Sequence, residues 1–172
     1  FLATSFALFN LVPGRIDHHG LGLALTLTGF AALISPIRNA RSAFLGGACV
    51  PVMLSVAIEN LPAAALLIAG FSIAWIVRGG IEAGRLRIFG ATLIVAALLT
   101  YVFDAPGAQG IRAVCDAYGQ SHFVALLVGG AGLFVIATAA PSADTWRLRF
   151  ALIATAGAVA LATFIAINPS CL

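Results

Sequence analysis

The chain has 172 residues, of which 62% are hydrophobic and 9% charged, with nine basic and six acidic side chains. A soluble domain carries about 25% charged residues, and a fold of this length cannot bury so much apolar surface. Composition therefore excludes an ordinary soluble domain and points to a bilayer as solvent. All nine basic residues are arginines, as suits a bacterium with a GC-rich genome, and they sit between apolar runs. No basic patch interleaves with aromatics, so nucleic acid is not an expected partner.

A helix crosses the hydrocarbon core with about 20 apolar residues, within a range of about 17 to 25. Seven apolar runs follow one another along the chain: 1–12 (partial), 21–34, 43–58, 63–77, 88–103, 123–140 and 148–167. Only helices satisfy their backbone amides within one such segment. The expected fold is an all-α integral membrane protein, a bundle of about seven transmembrane helices forming a single domain over residues 1–172. The chain opens on Phe1 inside an apolar run, with no basic stretch before it, and ends abruptly after Asn168. A signal peptide does not fit that opening, and a fragment of a larger membrane protein does.

The breaks are marked by Pro, Gly and Arg. Pro36, Pro62 and Pro141 suit helix boundaries, because a proline in a first turn costs no amide bond. Pro51 falls inside a run and is expected to kink it. Gly129, Gly130 and Gly132 allow helices to approach closely. Cys49 reads as a small core residue. Cys115 and Cys171 fall on the same side of the bundle, where they either pair in an oxidising compartment or remain thiols.

Arginine placement gives the orientation. Alternate breaks carry Arg38 and Arg41, then Arg78, Arg85 and Arg87, then Arg147 and Arg149. These define the expected cytoplasmic side. The other side holds only Arg15 and Arg112, together with Asp17, Glu59, Asp104, Asp116 and all three histidines. Trp75 and Trp146 fall near the first set of ends, Tyr101 and Tyr118 near the second, as interfacial belts would place them. Glu82 and Asp144 read as partners of neighbouring arginines. His122 and Asp116 read as solvated loop groups.

The stretch Pro13-Gly14-Arg15-Ile16-Asp17-His18-His19-Gly20 concentrates polar groups in a chain otherwise poor in them. Ionisable groups at a membrane face are functional candidates. In an extended loop, Asp17 and His19 point the same way, and a carboxylate with an imidazole suits Mn, Fe, Co or Zn better than Ca. Two ligands are too few, so Glu59 or another group from that side must contribute. Arg15 is suited to an anionic lipid phosphate. An interfacial cap explains the same residues: Asp17 capping the next helix, His18 and His19 among headgroups, Arg15 reaching phosphates. Spacing alone leaves both readings open.

The string Gly14-Arg15-Ile16-Asp17-His18-His19 after an apolar helix resembles the second acidic motif of the GT-C membrane glycosyltransferases, above all the catalytic subunits of oligosaccharyltransferases. The resemblance spans about six residues. It implies that Asp17 and His19 are catalytic ligands of a divalent metal, Mn or Mg. It also implies that Arg15 contacts phosphate, with His18 and Glu59 as further candidates. The implied substrate is a sugar on a polyprenyl-phosphate carrier at the outer, periplasmic face of a bacterial inner membrane. The family's first acidic motif would lie before Phe1, Gly22 stands where relatives carry a polar residue, and no WWDYG-like acceptor motif occurs. A non-catalytic assembly subunit of a larger membrane complex is the alternative. A transporter is a further one, although its acids would be expected within helices near the midplane.

Overall fold

The structure is a computed structural model that describes residues 18–37, 39–104, 117–141, 143 and 145–167, with the backbone alone at His18 and Asp104. Helices α1 (His18–Ile34), α2 (Ala40–Val56), α3 (Leu61–Arg78), α4 (Gly80–Asp104), α5 (Gln120–Ala139) and α6 (Trp146–Ile167) follow in chain order, with a 3-10 turn at Ile58–Asn60. No strand occurs among the described residues. The stretches Ile58–Arg78, Gly80–Phe103, Gln120–Ala139 and Trp146–Ile167 are long and apolar enough to cross a membrane. The helices α1 and α2, with 17 residues each, reach about 26 Å at 1.5 Å per residue, slightly short of a core about 30 Å thick. Against the seven expected runs, six helices are seen, and the partial run 1–12 lies outside the described residues.

Helix ends follow local chemistry. Asn39 starts α2: its side-chain oxygen accepts from the Ser42 backbone N–H at 3.0 Å, which satisfies one orphan donor of the first turn. Pro62 sits in the first turn of α3, as expected. The helix α2 continues through Pro51.

One boundary differs from expectation. The stretch from Arg78 to Arg87 is not a loop. Gly79 alone separates α3 from α4, and its φ of 64° reverses the chain in one residue. A side chain is strained there, and glycine is not. The first two turns of α4 therefore carry Glu82, Arg85 and Arg87 as helix residues. A mixed apolar and charged stretch reads as a loop only until its burial is known.

The helix α4 lies against α2, α3 and α5. Phe71 and Phe89 stack with centroids 4.3 Å apart, beside fully buried Trp75, Met53, Leu67 and Leu93. Trp75 is thus a core residue and not part of an interfacial belt, whereas Trp146 is exposed. Its place on α3, four residues after Phe71, puts both rings on the helix face that packs inward. Cys49 is buried in the same core, as its position suggested. The α4–α5 crossing depends on glycine: a Cβ at Gly90 would lie 2.8 Å from the Gly130 carbonyl oxygen. Gly132 meets Ala156 of α6 in the same way, at 2.9 Å. Outward positions such as Leu66, Val102 and Phe103 remain more than half exposed. Such a surface is stable against lipid and not against water.

Candidate functional site

Two polar groupings lie at opposite ends of the bundle. At one end, Arg85 and Glu82 are 5% and 1% exposed and pair at 2.9 Å. Arg78 approaches the same carboxylate at 3.7 Å. Arg85 also donates to the Ala32 and Leu33 carbonyls, at 3.1 and 3.4 Å, where α1 ends. Its guanidinium lies 5.2 Å from the centre of the Phe71 ring. Glu82 does balance neighbouring arginines, as expected. Arg85 is a buried tie between α4 and the last carbonyls of α1, which lack partners within their own helix. Arg85 Nε is buried with no hydrogen-bond partner among the described residues, but both terminal nitrogens are engaged, and a pair buried and tied in this way is a structural device whose disruption is costly.

At the other end, the site is built from a break in the chain. Ala57 leaves the α2 helix, and its N–H donates to the Met53 carbonyl at 3.1 Å. The Asn60 side-chain amide donates to the Met53 and Ala57 carbonyls, both at 3.1 Å. These bonds fix the turn Ile58–Asn60 and place Glu59 on its outer side. The first turns of α1 press against this turn at Gly22, where a Cβ would lie 2.9 Å from Asn60 Nδ2. Any side chain at position 22 would crowd Asn60. His19, three residues before Gly22, is thereby carried to Glu59: His19 Nδ1 and Glu59 Oε2 are 3.7 Å apart.

That distance is long for a direct hydrogen bond. It is inside the roughly 4.2 Å that two ligands can span when each is about 2.1 Å from one shared ion. Both groups are accessible, with 43% and 68% of their side chains exposed. An imidazole and a carboxylate form the mixed donor set that suits Mn or Zn. Among the described residues, no group of three or more His, Cys, Asp and Glu side chains gathers to hold a metal. Arg15, Asp17, Asp116, Cys115 and Cys171 lie outside the described residues, as do the side chains of His18 and Asp104. Of the residues singled out in the sequence, the structure therefore brings together His19 and Glu59.

His122 corrects the sequence reading. It is 5% exposed, in the first turn of α5, and not a solvated loop group. Its ring meets Phe164 edge-on at 5.0 Å and Tyr118 at 6.5 Å. The signal was present: His122, Leu126, Gly130, Leu133 and Ala137 repeat at helical spacing and are all buried. Beginning the apolar run at Phe123 cut the histidine from its own stripe. Tyr118, just before α5, reaches into the bundle, and its hydroxyl donates to the Ala97 carbonyl at 3.3 Å.

No protein family, no curated protein and no solved structure matches this chain.

Proposed function

We propose that this chain is the membrane domain of a metal-dependent glycosyltransferase acting on sugars carried by polyprenyl phosphate. The observation that carries the reading is the approach of His19 to Glu59, two residues downstream of Asp17. Asp17 and His19 are the metal ligands in this reading, Glu59 completes the set, and Arg15 holds the carrier phosphate. A divalent Mn or Mg ion bound there would neutralise phosphate charge and orient the reacting groups. Orientation follows from the arginines: the end with Arg78, Arg85 and Arg149 faces the cytoplasm, and the His19 end faces the periplasm of a bacterial inner membrane.

Membranes containing the full-length protein should release sugar from polyprenyl-phosphate donors in the presence of Mn or Mg. The substitution Asp17→Asn should abolish that release. Activity equal to the unaltered protein would remove the reading.

A second reading, a non-catalytic assembly subunit, has one observation in its favour. The helix α6 carries no buried residue along its 22-residue length. A helix that meets the bundle along one side only, as this one meets α5 through Ala156 and Phe164, can pack against another membrane subunit as readily as against lipid. Co-purification of a stoichiometric membrane partner, with no metal-dependent transfer, would favour it.

A further inference from the structure

The arginine end of the bundle carries more positive charge than it balances. By sequence, Arg38, Arg41, Arg78, Arg85, Arg87, Arg147 and Arg149 stand there against Glu82 and Asp144. Seven arginines face two carboxylates, so five positive charges stay unbalanced even with both acids paired. Glu82 is already shared by Arg85 at 2.9 Å and Arg78 at 3.7 Å. Arginine does not lose its proton to relieve crowding, so the surplus has to be met from outside the chain.

Among these cations Arg149 is both held in place and open. It lies in the first turn of α6 and reaches across to the turn between α3 and α4. A Cβ at Gly79 would overlap its Nη1 and lie 3.2 Å from its Cζ, so the guanidinium rests on the glycine that reverses the chain. No hydrogen bond or ion pair from its side chain occurs among the described residues. Its Nε is sealed from solvent, and its two terminal nitrogens are not. A planar guanidinium fork with open terminal nitrogens matches the oxygens of a phosphate.

The neighbours of Arg149 on α6 face outward. Trp146, Leu148 and Phe150 are 59%, 49% and 58% exposed, and the Arg147 guanidinium lies 5.7 Å from the centre of the Trp146 ring. Exposed aromatic, aliphatic and cationic groups together at the end of an apolar helix suit the headgroup layer of a bilayer. The anion within reach of Arg149 is then a lipid phosphate.

We propose that Arg149, resting on Gly79, binds the phosphate of an anionic phospholipid where α6 meets the turn between α3 and α4. A zwitterionic lipid brings its own cation and leaves the surplus in place, whereas a net anionic one offsets it. The inference does not rest on the transferase reading, which concerns the opposite end of the bundle.

The test offers the full-length protein, purified in detergent, equal amounts of phosphatidylglycerol and phosphatidylcholine, and reads the retained lipid by native mass spectrometry. One phosphatidylglycerol should be retained in preference to phosphatidylcholine, and excess inorganic phosphate should not displace it. Arg149→Gln should weaken retention about tenfold. Arg41→Gln removes the same charge from the same end, on α2 beside Ile88, and should weaken it less than about twofold. Should Arg149→Gln fail to fold, Arg149→Lys takes its place in that comparison; it keeps the charge, loses the fork, and should weaken retention about threefold. Asp144→Asn should change retention less than about twofold. Equal retention of the two lipids, equal loss from the Arg149 and Arg41 variants, displacement by inorganic phosphate, or binding that appears only in Asp144→Asn would overturn the proposal.

Discussion

The two ends of this bundle use charge in opposite ways. At one, Glu82 and Arg85 are sealed from solvent, bonded at 2.9 Å, and tied to the terminal carbonyls of α1. At the other, His19 and Glu59 are half exposed and stand 3.7 Å apart. The first arrangement joins two helices through buried, paired charges. The second holds two donors in place without joining them tightly. Buried, paired charges organise a fold, whereas accessible ionisable groups can meet a ligand from solvent.

This contrast can be broken most forcefully at Arg85. Arg85→Ala leaves the buried Glu82 carboxylate with only the half-exposed Arg78, 3.7 Å away, and should cost about 3 kcal/mol, measured as chemical unfolding in detergent. Replacing Glu82 and Arg85 together by apolar residues should cost far less, since the charge that then loses its partner, Arg78, is half exposed and no buried charge is left alone. Equal losses for the single and double replacements would remove the structural role. A smaller effect is expected at Gly22, where a side chain meets Asn60. Gly22→Val should cost about 1 to 3 kcal/mol and, by pushing α1 away from the 3-10 turn, separate His19 from Glu59. Smallest of all, His19→Ala and Glu59→Gln should each change stability by less than about 0.5 kcal/mol, because water screens exposed pairs. A large loss of stability from either would show that this end, too, is structural.

Much of the fold was legible because a bilayer leaves few alternatives. Apolar length fixed six of the helices, and Pro62 and the Gly129–Gly132 cluster fell where boundaries and close crossings were expected. The sequence failed where one residue does the work of a loop. Gly79 reverses the chain alone, so the charged stretch after it is helix, and Arg85 is buried. Trp75 and His122 failed for a related reason: residue type suggests an interface or a loop, but helical phase decides which face is inward. Of the candidate site, His19 and Glu59 could each be singled out as ionisable groups near helix ends. Their approach could not, because it depends on Asn60 holding the turn and Gly22 admitting it.

The central claim is that the His19–Glu59 end is the ligand-binding end. Titration of Mn²⁺ into the full-length protein in nanodiscs, followed by the paramagnetic resonance signal of free Mn²⁺, tests it most directly. The account predicts one bound ion, with affinity reduced at least about tenfold by His19→Ala and by Glu59→Gln, at unchanged unfolding temperatures. No binding by the unaltered protein, or equal binding by all three, would contradict it.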